Sequence, residues 1–206
     1  ILTGILFLVG FGLKGAMMPF HAWLPDAHPS APAPISAMLS GVLIKAIGIY
    51  TLVRIMFNVI GVEPIFSNMM LCIAAISMTA GVFLAFAQWD FKRLLAYHSI
   101  SQMGYVMLGI WLMTPLGILG GLFHMLNHSV FKSLLFLNSG AVVYGTGSRQ
   151  LKSLGGLNQK MPVTGCTTLV ASMSIAGIPP FNGFWSKLII IMACIQSHHF
   201  FLAALA

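Results

Sequence analysis

The chain has 206 residues, of which only 6% are charged and 58% are hydrophobic, and its formal net charge is +7. Soluble domains carry roughly 25% charged residues, so this composition excludes an ordinary soluble domain and predicts an integral membrane protein. Four of the seven lysines fall within apolar runs, which argues against the exposed basic face that nucleic-acid binding requires.

The three cysteines give no sign of a cofactor or metal site. Cys72, Cys166 and Cys194 lie far apart, without CxxC or Cys/His spacing. Neither a disulfide framework nor an iron–sulfur cluster is therefore implied, and we expect no redox cofactor and no bound metal in this chain. The sequence begins at Ile1 within one hydrophobic run and ends at Ala206 within another, so we interpret it as a fragment of a longer protein.

Several apolar segments are long enough to cross a bilayer, which takes about 20 mostly apolar residues. In chain order, six predicted spans cover residues 1–19, 35–58, 69–88, 94–113, 117–144 and 163–200, the last interrupted at 177–183. The connections between them are short, so neighbouring helices are predicted to run antiparallel. The sequence thus predicts a single all-α transmembrane domain over residues 1–206.

Basic residues are distributed unevenly between the predicted loops. The loops at 20–34, 89–93 and 145–162 lie on one side, and the opposite side carries only Arg54, near the end of its helix. The first set carries Lys92, Arg93, Arg149, Lys152 and Lys160. Because positively charged loops stay cytoplasmic, these three loops are predicted to be cytoplasmic.

Six basic residues lie inside the predicted spans. They are Lys14, Lys45, His124, His128, Lys132 and Lys187. A charge at mid-bilayer costs at least ~2.5 kcal/mol on insertion scales and usually marks a functional interior. Snorkelling, in which an ammonium group reaches the headgroups, is an open alternative for Lys14, Lys132 and Lys187. Lys45 lies about 10 residues into its span and is too deep for it.

His124, His128 and Lys132 recur at four-residue spacing, which places them along one strip of a helix, here called the basic strip. Such a strip favours proton transfer from group to group, although a purely structural hydrogen-bonding role stays open. Haem ligation is a different class of function, and it needs partner histidines at similar depth on a second helix. The remaining histidines fall in predicted loops or near span ends: His21, His28, His98, His198 and His199.

Helix breakers lie beside two of the buried lysines. Met18-Pro19 follows Lys14, and the run GIPPFNG at 177–183 precedes Lys187. Proline removes a backbone donor, and unwound backbone is tolerated in a membrane only inside protein or beside water. A discontinuous helix next to a buried lysine is typical of transporters, and a simple packing kink is the alternative.

Five stretches of the sequence resemble, in the same order, the antiporter-type subunits of complex I. They are KGAMMPFHAWLPDAHPSAPAPISAMLSGVLIK, FKRLLAYHSISQMGY, FHMLNHSVFKSLLFLNSGAV, LGGLNQKMPVTG and GIPPFNGFWSK. The resemblance covers nearly the whole chain. It extends to the membrane arms of energy-converting hydrogenases and to the D-like subunits of multi-subunit cation/proton antiporters.

The resemblance implies a bundle of about fourteen helices built from two inverted repeats, each with a broken helix. Within it, Lys14 matches the broken-helix lysine of the first repeat, and Lys45 matches the lysine that bridges the half-channels. The basic strip matches the histidine- and lysine-bearing helix of the second repeat, and Lys187 matches its broken-helix residue. The chain would hold only the seventh to twelfth helices, so the fifth-helix glutamate that partners Lys14 would lie outside it.

The sequence departs from the family pattern at two positions. His98 stands where many members have serine, and Lys187 stands where some branches have glutamate. The acidic residues Asp26, Glu63 and Asp90 are all predicted to lie in loops, so none can replace the fifth-helix glutamate.

These observations together predict a proton-translocating, antiporter-like subunit of a membrane-bound respiratory or hydrogenase-type oxidoreductase complex. Its expected setting is a prokaryotic cytoplasmic membrane, with other membrane subunits as partners and no redox chemistry in this chain. The alternative is a subunit of a multi-subunit sodium(cation)/proton antiporter without a redox partner, and a third reading is a scaffold that does not transport. Sodium prefers carboxylate and carbonyl ligands, so the scarcity of acids favours protons.

Overall fold

A computed structural model describes residues 2–206, and within them it contains ten helices, one 3-10 turn at Leu151–Ser153 and no β-strand. The helices are α1 Leu2–Lys14, α2 Leu24–Ser30, α3 Ala33–Ile60, α4 Pro64–Phe86, α5 Phe91–Trp111, α6 Pro115–Thr146, α7 Leu157–Lys160, α8 Pro162–Ala176, α9 Asn182–Gln196 and α10 Phe200–Leu205. The prediction of an all-α fold with discontinuous helices is confirmed.

The long helices differ in how apolar they are. α3 and α4, with 28 and 23 residues, have mean hydropathies of 1.7 and 2.2 and are long and apolar enough to cross a bilayer. α5 and α6 have 21 and 32 residues and bury polar side chains between them. α1 and α8 are shorter apolar helices, and each is followed by a break in the helical backbone.

The ends of the helices follow local chemistry. α4, α6 and α8 begin at a proline, which fits the first turn because the backbone N–H there has no helical partner. The Asp90 carboxylate caps α5 by accepting from the backbone N–H groups of Lys92 and Arg93 at 3.0 and 3.1 Å. The Thr114 hydroxyl caps α6 by accepting from Gly117 N at 3.0 Å. These side chains pair donors that the helix leaves free.

Helix α5 lies at the centre of the bundle, between α4 and α6, and its residues from Ser99 to Trp111 are all buried. Glycines allow the close packing on both sides. A Cβ atom on Gly104 would lie 2.6 Å from the backbone N of Met78 in α4, and one on Gly109 would lie 2.8 Å from that of Gly121 in α6. The central helix can therefore present polar side chains to α6 without contact with lipid.

The three loops that were predicted to be cytoplasmic meet at one end of the bundle, here called the loop end. Arg93 forms a salt bridge with Asp26 at 3.1 Å, and Arg149 forms one with Asp90 at 2.6 Å. Arg149 also donates to the carbonyl of Pro29 at 2.9 Å. Loops that are far apart in sequence are therefore joined by ion pairs and hydrogen bonds at this end.

The stretch before α3 departs from the sequence-based prediction. Residues 25–34 were expected to form a loop, but Leu24–Ser30 is a helix and Asp26 lies in its first turn. The prediction that all three acidic residues lie in loops is therefore wrong for Asp26. Tertiary packing explains the helix, because Leu24 and His28 are one turn apart and are only 1% and 0% exposed.

Candidate functional site

The basic strip lies on the buried face of α6. His124, His128 and Lys132 are each 0% exposed, so protein encloses all three. The two imidazole rings are 6.5 Å apart between centroids. The enclosure of Lys132 by protein does not fit the snorkelling alternative, in which its ammonium group would reach the headgroups.

His124 is hydrogen-bonded on both sides. Its Nε2 lies 3.1 Å from Gln102 Oε1 of α5, and its Nδ1 lies 2.9 Å from Ser186 Oγ of α9. An amide oxygen only accepts, so Nε2 carries the proton and Nδ1 accepts from the serine hydroxyl when the ring is neutral. Ser186 Oγ also lies 3.1 Å from the carbonyl of Gly183. When His124 is protonated, the Ser186 hydroxyl can therefore donate to the Gly183 carbonyl instead, while its oxygen accepts from Nδ1–H of His124.

His128 and Lys132 contrast with His124 in their bonding. Both ring nitrogens of His128 and the Nζ of Lys132 are buried without a hydrogen-bond partner in the described chain. An unpaired buried polar group costs about 1–3 kcal/mol or more, and native proteins pair such groups with protein or with ordered water. Ordered water between these side chains would supply the missing partners.

Lys45 lies on α3, where residues Leu39–Tyr50 wind as a π-helix. It is 3% exposed, and its Nζ donates to the carbonyl of Ser40 and, at 3.2 Å, to that of Gly41. Lys45 also lines a cavity of about 430 Å³ whose far wall includes Ser129 of α6. The lysine therefore faces the helix that carries the basic strip, at the level of His128.

Lys187 adjoins the other end of the strip. Its Nζ lies 4.5 Å from the centre of the Tyr105 ring, and that ring lies 5.7 Å from the ring of His124. Its aliphatic stem covers the backbone break, since a Cβ atom on Gly177 would lie 3.1 Å from Lys187 Cδ. The half-buried ammonium group is thus held by an aromatic face next to His124.

Lys14 has a different environment. Of the six predicted site residues, the structure brings five together as one row of basic side chains, here called the buried row: Lys45, the three residues of the basic strip and Lys187. Lys14 is exposed at the end of α1 and lies outside this row.

Side chains from neighbouring helices supply partners at both breaks. At the first, Met18 N donates to Ser77 Oγ of α4 at 3.1 Å, and Trp23 Nε1 donates to the carbonyl of Leu13 at 2.8 Å. At the second, Asn127 of α6 and Asn182 of α9 exchange two hydrogen bonds of 3.1 Å. Both breaks therefore have the protein partners that unwound backbone in a membrane requires.

Two further histidines lie within the bundle. His28 is 0% exposed on α2 and stacks on the Phe136 ring of α6, with 4.4 Å between centroids. The prediction that it lies in a loop is wrong. His98 lies two turns into α5, and its Nδ1 is buried without a partner in the described chain. The four-residue spacing of Leu24 and His28 was the only local signal for a buried helix, and the adjacent prolines concealed it.

A model of the transmembrane family described as NADH:quinone oxidoreductase/Mrp antiporter matches residues 1–206. The chain belongs to this family. It is therefore an integral membrane protein, and the family resemblance found in the sequence is confirmed.

Relatives of several kinds are similar to the chain. An Na(+)/H(+) antiporter subunit of Alkalihalophilus pseudofirmus is 38% identical over 98% of this chain and 41% of its own length. Hydrogenase-4 component B of Escherichia coli is 39% identical over 89% of this chain and 29% of its own length. A chain of the Mrp complex from Dietzia sp. superposes with a TM-score of 0.92 at 34% identity, covering 99% of this chain and 38% of that one. The chain spans less than half the length of these relatives.

Proposed function

We propose that this chain is part of a proton-translocating, antiporter-like subunit of a multi-subunit respiratory or hydrogenase-type complex in a prokaryotic cytoplasmic membrane. The observation that carries the proposal is the fully buried basic strip of α6, which has Lys45 facing the same helix at Ser129, next to His128, and Lys187 adjoining His124. Four buried basic groups with a fifth, half-buried one beside them are costly in a bilayer. Proton transfer is a function that explains why they are kept together.

The order of groups suggests a route along the bundle. Lys45 faces α6 at Ser129, next to His128, and the strip continues from there to His124. The Ser186 hydroxyl serves both protonation states of His124, as described above, so this ring can gain and lose a proton without losing a partner. Lys187 is the next group on the route, and it lies against the Tyr105 ring, which neighbours His124. Lys14 is assigned to the same route on the family resemblance, in which it matches the broken-helix lysine of the first repeat.

The donor set favours protons over sodium. Among residues 2–206, no group of three His, Cys, Asp or Glu side chains is arranged to hold a metal ion. The acids Asp26 and Asp90 form salt bridges with Arg93 and Arg149 at the loop end, and the buried row carries nitrogen atoms. Sodium prefers oxygen ligands, whereas imidazole and amine groups accept and release protons.

The second candidate is a subunit of a multi-subunit sodium/proton antiporter without a redox partner. The similarity to an Na(+)/H(+) antiporter subunit and to the Mrp complex favours it, whereas the similarity to hydrogenase-4 component B favours a redox-driven complex. Purification of the full chain with its native partners distinguishes the two, because a hydrogenase or quinone-reducing module would co-purify only with the redox-driven complex.

The proton-transfer role is tested with Lys45→Met and Lys132→Met in the full complex, reconstituted in vesicles. Each variant removes a titratable amine but keeps a long apolar side chain, so assembly should persist. Proton translocation should fall by about tenfold or more, the usual effect of losing a proton-transfer group. Lys160→Met is the matched control, since Lys160 is exposed in the loop at 145–162. Wild-type translocation by both test variants would exclude the buried row as the proton path.

A further inference from the structure

A polar cleft opens at the loop end of the bundle. It has a volume of about 410 Å³, and its walls include Asp26, Ser30, Asp90, Arg93 and Arg149. The salt bridges Arg93–Asp26 and Arg149–Asp90 form part of these walls. Charged side chains hold water well, so the cleft brings the aqueous phase to the surface of α2.

Helix α2 separates this cleft from the interior. Asp26, Pro29 and Ser30 line the cleft, whereas His28 on the same helix is 0% exposed and points into the bundle. The helix is held in place by the salt bridge from Arg93, by the hydrogen bond from Arg149 to the carbonyl of Pro29 and by the one from Lys92 Nζ to the carbonyl of Ala31 at 2.7 Å. His28 is therefore held by one short helix between water on one side and the buried row on the other.

The ring of His28 contacts Phe136, which lies one turn beyond the last residue of the basic strip. Phe136 follows Lys132 by four residues on α6 and so continues the strip by one turn. The imidazole stacks on Phe136 with 4.4 Å between centroids, and Lys132 Nζ lies 6.0 Å from the centre of the same ring. His28 and Lys132 therefore contact a shared aromatic side chain, and the row of bases passes here from α6 to α2.

Both ring nitrogens of His28 are buried and have no hydrogen-bond partner in the described part of the chain. A histidine that serves packing alone normally pairs at least one ring nitrogen. The backbone of His28 is paired, because Ser36 Oγ donates to its carbonyl at 3.0 Å. Both ring nitrogens are therefore free of fixed protein partners and available to accept and to donate a proton.

We propose that His28 is a further proton-transfer residue, which carries protons between the loop-end cleft and Lys132 past the Phe136 ring. The inference rests on the function proposed above and adds the place where protons enter or leave the row. Neutral imidazole accepts a proton at one ring nitrogen and releases the proton held by the other. The ring returns to the neutral form as the opposite tautomer, and its rotation restores the first. Waters on either side, each with about three hydrogen bonds, complete the connections.

The test uses the full complex reconstituted in vesicles and two variants of His28. His28→Phe keeps an aromatic ring against Phe136 but has no titratable nitrogen, and His28→Gln keeps polar atoms that do not titrate. Both should assemble, and both should lower proton translocation by about tenfold or more. His199→Phe is the matched control, because His199 is exposed beyond α9. It should translocate protons at the wild-type rate.

A rescue experiment separates proton transfer from packing. His28→Ala leaves room beside Phe136, so imidazole added to the assay should restore translocated charge in a concentration-dependent way, measured against wild type with the same imidazole. Lys132→Met tests the underlying function in parallel. If Lys132→Met and Lys45→Met both translocate normally, the proposed function itself fails, and if only Lys132→Met does, the role of His28 next to Lys132 is overturned. If Lys132→Met is inactive but His28→Phe and His28→Gln are fully active, only the role of His28 is overturned. The role of His28 is also overturned if His28→Ala assembles, is inactive and is not restored by imidazole.

Discussion

His124 has the contacts that best distinguish a proton carrier from a structural histidine. A structural histidine needs one fixed tautomer, whereas His124 lies beside a hydroxyl that can donate to it or accept from it. The alternative acceptor for that hydroxyl, the carbonyl of Gly183, lies 3.1 Å from Ser186 Oγ. Both protonation states of His124 therefore have a hydrogen-bond partner at Nδ1, so neither state leaves that atom unpaired.

At the residue scale we predict that His128 and Lys187 act in series on one route. His128→Ala and Lys187→Ala should each stop proton translocation in reconstituted vesicles, because every proton that passes the strip also passes the Tyr105 side of His124. The double variant should then be no worse than either single variant. Ser197→Ala, just after α9, is a suitable control, because the half-buried Ser197 hydroxyl donates to the Ala193 carbonyl one turn back. Partial losses that add in the double variant would instead indicate two parallel routes.

Part of this site was predictable from spacing alone. The four-residue recurrence of His124, His128 and Lys132 was sufficient to place them on one strip, and the lack of acid in the spans was visible in composition. His28 was not predictable with the same ease, because Pro25 and Pro29 flank it and favour a loop locally. Its burial depends on Phe136, more than a hundred residues away. Such long-range packing leaves no local pattern.

At the element scale, the break after α1 is built against α3 through two glycines. A Cβ atom on Gly48 would lie 2.5 Å from Gly15 Cα and 2.6 Å from Gly15 N, closer than carbon atoms pack. The breakers Met18-Pro19 predicted an interruption here, but α1 ends earlier, at Lys14, and Ala16 has a positive φ of 51°. The π-helical winding of Leu39–Tyr50 was not predictable, since its apolar sequence suits an α-helix equally well.

We therefore predict that Gly48→Ala destabilises the packing of α1 on α3. Inserting one methyl group into a filled contact typically costs about 1–3 kcal/mol, so the melting temperature of the purified subunit in detergent should fall. Gly10→Ala is the matched control, because a Cβ atom at Gly10 would meet nothing within 4 Å. That variant should melt at or slightly above the wild-type temperature, since alanine favours helix. Equal melting temperatures for both variants would contradict the close approach of the two elements.

At the scale of the whole molecule, the bundle has one strongly basic end. The ion pairs of Arg93 and Arg149 draw three distant loops together there, and Lys152 adds a cation–π contact with Trp89, its Nζ 4.4 Å from the ring centre. The sequence predicted that these loops share one side, and the contacts place them at one end. Because acidic partners contribute little to membrane orientation, the neutralised arginines still count toward the charge bias that sets it.

The final prediction concerns which side of the membrane the loop end faces. A cysteine at Ser153, which is exposed in the loop at 145–162, should react with a membrane-impermeant thiol reagent only from the cytoplasmic side, since Lys and Arg in short loops keep them cytoplasmic. The background should carry Cys72→Ser, Cys166→Ser and Cys194→Ala, because the first two native thiols are exposed. Glu63→Cys, between α3 and α4 at the opposite end, is the matched control and should react only from outside in intact cells. Labelling of the Ser153 position in intact cells, with protection of the Glu63 position, would invert the orientation. The cleft beside His28 would then open to the external phase, and protons would enter or leave the buried row from that side.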